Sequence, residues 1–226
     1  MKRVLITGGA QGLGASLAKI FKSNNYDVII TYNTNKDKAL LLSKELGIKC
    51  IKLDLTNEEE IKNIFNDKID IIINNAALSM DNTIISKTKE EFMKVLEVNL
   101  VGTFLMCKYA VESGVKEIIN ISSTDSIDTY SSLNIDYSSS KSGVNILTKT
   151  FALTYPDLRI ISVLPNWIDT ESVLEMEPNY LKNELNRIGQ KELLKKDEVA
   201  LKIFNIYESN IKSGELVRIE EDICLI

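Results

Sequence analysis

The sequence predicts one α/β domain, residues 1–226, in which helices cover both faces of a doubly wound, parallel sheet of seven strands. Two observations carry this prediction. Short apolar runs alternate with longer segments of helical period, and no linker or repeat interrupts the alternation. Runs such as Asp70–Asn74 are apolar on both faces, which is typical of strands buried between two helical layers.

The predicted elements follow in order along the chain. The strands are Arg3–Thr7, Asp27–Tyr32, Lys49–Leu53, Ile69–Asn74, Glu117–Ser122, Arg159–Leu164 and Leu216–Ile219. The helices are Gly12–Asn25, Lys36–Leu46, Asn57–Asn66, Lys89–Ser113, Asp136–Tyr155 and Asp197–Ser209. Gly47 and Gly114 each follow a helix, where a left-handed residue ends it at little cost. Residues 169–196 break the alternation after the sixth strand, and we expect them to form a lid over a substrate.

Composition and charge limit the functions open to this chain. Its 27 Lys and Arg against 32 Asp and Glu give a formal net charge of −5 without a long basic run, so we expect no nucleic-acid partner. No apolar stretch reaches the roughly 18 residues of a membrane span, so we expect no membrane partner. The three cysteines lie far apart, which is typical of a reduced, cytoplasmic protein and offers no metal site.

The sequence contains no histidine. This excludes Ser-His-Asp and Cys-His catalysis, His-bound zinc and every imidazole proton shuttle. If the chain is an enzyme, its acid/base group is therefore an Asp, Glu, Lys, Tyr or Cys side chain.

A glycine-rich turn, Thr7-Gly-Gly-Ala-Gln-Gly-Leu-Gly14, joins the first predicted strand to the first helix. Glycines let the backbone turn tightly and approach a pyrophosphate closely, and the helix N-terminus offers free N–H groups to the phosphates. Because the turn follows the first strand of a parallel sheet, it predicts dinucleotide binding rather than a merely structural role.

Four further motifs accompany this turn in chain order: Asn74-Asn-Ala-Ala77, Ile121-Ser-Ser123, Tyr137-Ser-Ser-Ser-Lys141 and Pro165-Asn-Trp-Ile-Asp-Thr170. With the Gly-x3-Gly-x-Gly spacing of the turn, they resemble the single-domain branch of the short-chain dehydrogenase/reductase family. The nearest group in texture is the 3-oxoacyl-acyl-carrier-protein reductases. The resemblance implies a Rossmann fold and an NAD(P)(H)-dependent oxidoreductase that transfers a hydride between nicotinamide and a carbonyl or alcohol.

Two residues depart from the family pattern that this resemblance implies. Ala77 replaces a glycine and adds a methyl group where the cofactor would approach. Asn166 replaces the glycine after Pro165. Since asparagine tolerates positive φ better than most residues, we expect that turn to persist.

Candidate catalytic residues lie on one predicted helix and around it. Tyr137 and Lys141 are one turn apart and share a face; alone they would be an ordinary solvated pair, but in this context they indicate catalysis. We expect Tyr137 to give its proton to the developing alkoxide, and the charge of Lys141, with that of an oxidised nicotinamide, to lower the tyrosine pKa from about 10. The resemblance implies that Ser123 binds the substrate oxygen, with Ser122 as the alternative. It also implies that Asn99 holds a water linked to Lys141; the alternative is a residue that only kinks its helix.

The cofactor set follows from the turn and from the resemblance. No acid ends the second strand to bind an adenosine 2′-hydroxyl, and Lys36 could accommodate a phosphate there, so NADP(H) is favoured over NAD(H). Gln11 argues against this, because phosphate-preferring members often carry Arg at its position. Asp54 would bind the adenine amino group, and Thr170 with the Ile168 backbone the carboxamide. The full predicted set is Gly8, Gln11, Gly12, Leu13, Gly14, Tyr32, Asn33, Thr34, Asp54, Leu55, Asn75, Ala76, Ala77, Tyr137, Lys141, Pro165, Asn166, Ile168 and Thr170.

The substrate is expected to be a small-molecule carbonyl or alcohol, either a 3-oxoacyl thioester or a small polar ketone. Asp125, Asp128 and Asp136 beside the site argue against docking of an acidic carrier protein. We expect a homodimer or homotetramer. The dimer is expected more firmly, because the connection Tyr109–Glu117 is short and the resemblance implies that the helix there forms a subunit interface. The alternative is a cofactor-binding regulatory protein that has lost catalysis; the complete set of candidate catalytic residues favours the enzyme.

Overall fold

Eight strands form one sheet in the computed structural model, which describes residues 1–226. They are β1 Arg3–Ile6, β2 Asp27–Tyr32, β3 Lys49–Lys52, β4 Ile71–Asn74, β5 Glu117–Ile121, β6 Arg159–Pro165, β7 Leu216–Ile219 and β8 Ile223–Leu225. Their order in the sheet is β3-β2-β1-β4-β5-β6-β7-β8. The first seven strands run parallel, and β8 pairs antiparallel with β7. This confirms the predicted doubly wound α/β fold.

The predicted count of seven strands is one short. The additional strand, β8, has only three residues, and all of them are exposed. It closely follows the acidic stretch Glu220–Asp222. Neither a buried run nor an alternation can be recognised in so short an exposed segment.

Nine α-helices connect or flank the strands. They are α1 Gly12–Ser23, α2 Lys36–Leu46, α3 Glu58–Ile64, α4 Lys89–Leu96, α5 Gly102–Glu112, α6 Ile135–Thr154, α7 Glu171–Leu174, α8 Pro178–Ile188 and α9 Lys196–Glu208. The segment predicted as one helix, Lys89–Ser113, is divided by a π-helical turn at Glu97–Val101. Gly47 and Gly114 adopt φ values of 61° and 82°, as expected after helix ends.

Two apolar layers bury the two faces of the sheet. Val4 and Ile6 of β1 pack in a core with α1, α2 and α9, while Leu5 packs on the opposite face with α3, α5 and α6. Successive side chains of a strand point to opposite faces, so a strand covered on both sides must be apolar throughout. Phe21 of α1 is fully buried, and its ring centre lies 5.1 Å from those of Tyr26 and Phe204. Burying such a side chain contributes about 1.5–3 kcal/mol.

The strand order places the site. β1 lies between β2 and β4, so the crossovers on its two sides run in opposite directions along the sheet. Ligands of open α/β sheets bind outside the carboxyl ends of the strands at this reversal. The glycine turn, Asn75, Ser122 and Asn166 follow the ends of β1, β4, β5 and β6 respectively, and they therefore converge at one edge.

None of the helices combines the length and the apolar character that crossing a membrane requires.

Candidate active site

A cleft of about 900 Å³ opens at the carboxyl edge of the sheet. Its volume is in the range typical of small-molecule sites, roughly 300–1,000 Å³. Every residue of the predicted cofactor set lines it, and so do Ser122 and Ser123. The structure therefore brings the separate sequence motifs together in one cavity.

The glycine turn is pressed against the chain that follows β4. A Cβ on Gly8, whose φ is +64°, would lie 2.9 Å from the Ala76 Cα, and one on Gly14 would lie 2.5 Å from the Gly8 carbonyl oxygen. Helix α1 starts at Gly12, and no side chain caps its N-terminus. Its first-turn N–H groups are thus available to an anion, so this turn fits the pyrophosphate of a dinucleotide.

Hydrogen bonds fix the position of this turn. The Thr7 hydroxyl oxygen accepts from the backbone N–H groups of Asn75 and Ala76, each at 3.0 Å. The Asn75 amide donates to the carbonyls of Thr7 and Gly8, at 2.9 and 3.2 Å. The second asparagine of the motif after β4 therefore holds the end of β1 in place.

At the end of the cleft beside β2, a lysine that sequence reasoning missed approaches the turn. Lys38 Nζ, in the first turn of α2, donates to Gln11 Oε1 at 2.9 Å. Neither Lys38 nor Lys36, the residue expected to serve here, lines the cleft, but Lys38 is bonded to the glycine turn and Lys36 is not. Lys38 precedes Ala39, which is buried on the inner face of α2. This position next to Ala39 is the only feature of the sequence that could have indicated Lys38.

Asp54, after β3, lies in the same part of the cleft. Its Oδ1 accepts from the Thr56 N–H at 2.9 Å and from the Thr56 hydroxyl at 2.8 Å. These bonds, the backbone one first, lower the pKa of Asp54 below its usual value, because they stabilise the charged form. Asp54 is therefore a carboxylate and a hydrogen-bond acceptor at neutral pH.

Helix α6 places Tyr137 and Lys141 on the cleft, as predicted. Lys141 Nζ lies 5.5 Å from the centre of the Tyr137 ring and donates to the Ile121 carbonyl at 2.6 Å. Burial disfavours the ammonium form and lowers the pKa of Lys141 to about 8.

The pKa of Tyr137 differs from the expectation. Burial raises it above the ordinary value of 10.0, the negative charge of Asp125 raises it further, and Ser123 acts in the opposite direction. Lys141 does not lower the pKa of Tyr137 as expected, because its ammonium donates to the Ile121 carbonyl instead. The phenol is thus held in its protonated form at neutral pH.

The two candidate serines have different surroundings. Ser122 is buried, and its hydroxyl donates to the Lys141 carbonyl at 3.2 Å. Ser123 is only partly buried, and its hydroxyl accepts from the Asp125 N–H at 3.1 Å. Ser123 lowers the pKa of Tyr137 through a side-chain hydrogen bond, which supports Ser123 over Ser122 as the candidate partner of the tyrosine.

Asn99 lies in the π-helical turn between α4 and α5, and it does not line the cleft. Its Oδ1 accepts from the Leu78 N–H at 2.7 Å, and its Nδ2 donates to the Leu78 carbonyl at 2.8 Å and to Ser140 Oγ at 3.1 Å. The side chain thus ties the chain after β4 to α6. This supports the alternative structural role and leaves the water-holding role as a prediction.

The turn at Asn166 persists for a different reason from the one expected. Asn166 does not have a positive φ; Asn25 is the only non-glycine residue that does. Instead, Asn166 Oδ1 accepts from the Trp167 N–H and from the Thr124 hydroxyl, both at 3.1 Å. The side chain supplies the hydrogen bonds that shape the turn. Ala77, the other departure, is exposed on the cleft.

The three acids beside the site do not form an acidic surface. Asp125 is buried and accepts from Thr129 Oγ1 and Asn134 Nδ2, at 2.8 and 3.0 Å. Asp136 is fully buried. Asp128 is exposed, but it pairs with Arg218 at 2.6 Å. Their charges are buried or paired, so these three acids do not support the expectation that no acidic carrier protein docks, and that expectation stays a prediction.

The segment predicted as a lid contains α7 and α8. Val173, Met176 and Tyr180 from this segment line the cleft, whereas Leu174 is exposed and does not. The segment is held at its start by Asp169, whose Oδ1 accepts from the Lys196 N–H at 2.7 Å.

No group of His, Cys, Asp and Glu side chains is arranged to hold a metal ion.

Comparisons with known proteins agree with this geometry. The family model described as short chain dehydrogenase matches residues 2–180. The 3-oxoacyl-acyl-carrier-protein reductase FabG of Aquifex aeolicus is 31% identical over 185 residues, covering 74% of each chain. Glucose 1-dehydrogenase 2 of Bacillus subtilis is 28% identical over 219 residues, covering 88% of this chain and 84% of that protein.

The fold also matches that of BdcA in its crystal structure with NADPH. The TM-score is 0.86 at 20% identity, and the match covers 96% of this chain and 92% of that one. At this identity the likeness bears on the fold alone. The match of the family model over most of the chain, with the FabG relative, shows that this chain belongs to the short-chain dehydrogenases and is an NAD(P)-dependent oxidoreductase acting on CH–OH or C=O groups.

Proposed function

We propose that this enzyme reduces the carbonyl group of a small polar ketone, with NADP(H) as the favoured cofactor. The observation that carries the proposal is the placement of Ser123, Tyr137 and Lys141 in the same cleft as the uncapped glycine turn. A 3-oxoacyl thioester is the second candidate substrate, because the A. aeolicus relative is a reductase of that class.

The residues along the carboxyl edge of the sheet would hold the cofactor. The glycine turn and the N-terminus of α1 would bind the pyrophosphate, Asp54 would accept from the adenine amino group, and Thr170 with the Ile168 backbone would bind the carboxamide. The bound nicotinamide supplies or receives the hydride. Ala76 and Ala77 line the wall between these two ends.

Tyr137 is the proton donor. In reduction, its hydroxyl gives a proton to the carbonyl oxygen as that oxygen becomes an alkoxide, and the Ser123 hydroxyl donates a hydrogen bond to the same oxygen. In this proposal the Lys141 ammonium turns from the Ile121 carbonyl, to which it donates in this structure, and stabilises the tyrosinate that results. Burial and Asp125 raise the pKa of the phenol, so Tyr137 carries at neutral pH the proton that reduction requires.

The preference for NADP(H) rests on Lys38. Its ammonium lies against Gln11, at the end of the cleft where Tyr32, Asn33 and Thr34 follow β2. No acid ends β2 to repel a 2′-phosphate, and Lys38 can bind one through a charge-assisted hydrogen bond. The lysine on α2 thus supplies the charge that Gln11 lacks.

The preference for a small polar ketone rests on the charge of the cleft. Apart from the buried Lys141, Lys94 is the only Lys or Arg side chain that lines it, and Asp81 lies on the same wall. A phosphorylated carrier or an acidic carrier protein needs a basic patch next to the site. We infer that Val173, Met176 and Tyr180 of the lid close over the substrate.

Assembly into a homodimer rests on an exposed apolar face of α5 and α6. Phe104 on α5 and Leu153 on α6 are 40% and 85% exposed, and Val101 and Ile146 are also exposed. The ring centres of Phe104 and Phe151 lie 6.4 Å apart, which joins the two helices into one surface. An apolar patch of this kind is typical of a protein interface.

Replacing Tyr137 with Phe should abolish carbonyl reduction. The proton donor is lost, so we expect kcat to fall by about 10²–10⁴-fold. The assay follows NADPH and NADH oxidation with small diketones, keto sugars and an acetoacetyl thioester; Tyr130→Phe, at an exposed position, is the matched control. Tight NADPH binding by a wild-type protein that reduces no carbonyl would instead support the regulatory alternative.

Replacing Asp125 with Asn should lower the pKa of Tyr137. The negative charge disfavours the tyrosinate, so its removal favours ionisation at lower pH. The measurement is an ultraviolet titration, with the Tyr137→Phe spectrum subtracted to isolate this tyrosine. The wild-type residue should ionise above pH 10.0. Asp128→Asn is the control, and an unchanged or raised pKa in Asp125→Asn contradicts the assignment.

Replacing Lys38 with Met should weaken NADPH binding and spare NADH. A hydrogen bond to a charged group contributes about 1.5–3 kcal/mol, so we expect a loss of roughly ten- to hundredfold in affinity for NADPH alone. Fluorescence of the bound reduced cofactors gives both dissociation constants, with Lys44→Met on the same helix as the control. Equal losses for both cofactors would show that Lys38 does not contact the 2′-phosphate.

Replacing Leu153 with Lys should separate the dimer. A lysine on this face would have to be buried in the interface without a partner, which is strongly unfavourable. Light scattering after size-exclusion chromatography should show a dimer for the wild type and a monomer for the variant. Leu41→Lys, on the exposed side of α2, should remain dimeric; a monomeric wild type at micromolar concentration would refute the assembly.

A further inference from the structure

One ion pair in this structure is withdrawn from solvent. Lys87 Nζ lies 2.8 Å from Asp136 Oδ2, and the two side chains are 3% and 0% exposed. In no other ion pair of the structure are both side chains buried to this degree. Lys87 precedes α4, and Asp136 lies in the first turn of α6.

Both members of the pair make a second contact. Lys87 Nζ also donates to the Met80 carbonyl. Asp136 Oδ1 accepts from the backbone N–H of Tyr137 at 2.9 Å. That N–H belongs to the first turn of α6, where an N–H group has no partner within the helix. The pair therefore links the backbone of the proton donor to the segment after β4.

That segment forms a wall of the cleft. Leu78, Ser79 and Asp81, on either side of Met80, line it. A further bond, from the Asn82 N–H to the Leu133 carbonyl at 2.9 Å, joins the same segment to the loop before α6. The wall that would contact a substrate and the residue that would protonate it are thus fixed to one another.

Stability alone does not explain a buried pair of this kind. Removing two charges from water costs several kcal/mol per ion, and an apolar pair of similar volume is often as stable or more so. What an apolar pair cannot do is bond the Met80 carbonyl and the Tyr137 N–H at once. Geometry at a reacting centre matters at this scale, since a misplacement of about 1 Å can cost about a hundredfold in rate.

We propose that Lys87 and Asp136 are positioning residues for the reaction: they set the Tyr137 backbone against the cleft wall at Met80. The inference rests on the proposed role of Tyr137. Neither residue contacts the substrate or the cofactor. Their effect is exerted through Tyr137, so it falls mainly on turnover, while the contacts of the glycine turn and Asp54 with the cofactor are left unchanged.

The test separates positioning from stability by removing the pair in two steps. Lys87→Met leaves a buried carboxylate without its partner and should lower both the melting temperature and kcat. The double variant Lys87→Met/Asp136→Leu removes both charges and should recover the melting temperature. Its kcat should still be reduced by at least about tenfold, while its Kd for NADPH stays within about twofold of the wild type.

Matched variants complete the design. Lys89→Met, two residues further on at the exposed start of α4, should change neither stability nor kcat. Lys87→Met/Asp136→Asn keeps an acceptor for the Tyr137 N–H but loses the bond to Met80, and it decides the question if the leucine variant does not fold. A reduced kcat in this variant, at wild-type Kd for NADPH, supports the proposal.

The outcomes that overturn the proposal are distinct from failure of the proposed function. Recovery of kcat together with stability in the double variants would show that the pair is only structural. Tyr137→Phe is measured in the same assay. If that variant keeps its activity, the proposed role of Tyr137 fails, and the positioning proposal falls with it; if it is inactive while the double variants turn over normally, only the positioning proposal falls.

Discussion

The close approach of the glycine turn to the end of β4 is the constraint on which the rest of the site depends. Side chains are excluded there because a Cβ on Gly8 or Gly14 would overlap the neighbouring backbone. The space is kept closed by Thr7, whose hydroxyl binds two N–H groups of Asn75 and Ala76, and by the Asn75 amide. β1 and β4 are the two strands between which the order of strand addition reverses, and ligands of such sheets bind at this point. The contact therefore fixes the position where a ligand can lie.

From this contact, hydrogen bonds lead to the catalytic helix. The chain leaving β4 reaches Leu78, whose N–H and carbonyl are both bound by Asn99. Asn99 also donates to Ser140, and the Ser140 hydroxyl donates to the Tyr137 carbonyl at 2.6 Å. Lys141 follows on the same helix. The π-helical turn matters here because it is where Asn99 leaves the regular helical path and reaches both neighbours.

Sequence reasoning succeeded where one local pattern determines the structure. Strands such as β4 are apolar throughout, and Tyr137 stands within a motif. It failed where a segment has no pattern of its own, as in the exposed strand Ile223–Leu225. It also failed where the outcome depends on contacts between distant residues, since the helix break at Asn99 follows from the hydrogen bonds of that side chain. Lys87 and Asp136 are 49 positions apart, so nothing local shows that they pair, and the carboxylate was mistaken for a surface charge. Lys38 and Gln11 are likewise 27 positions apart, so no local pattern shows their contact.

The two edges of the sheet differ in chemistry. β3 exposes Lys49 and Lys52, and charges of this kind oppose the addition of a further strand. β8 instead exposes Ile223 and Leu225 along an unpaired backbone. Two copies that joined through β8 around a two-fold axis would use up both apolar edges and leave only the lysine-bearing ones. Strand addition at β8 would therefore end at a pair, and the lysines of β3 would oppose further growth at the remaining edges.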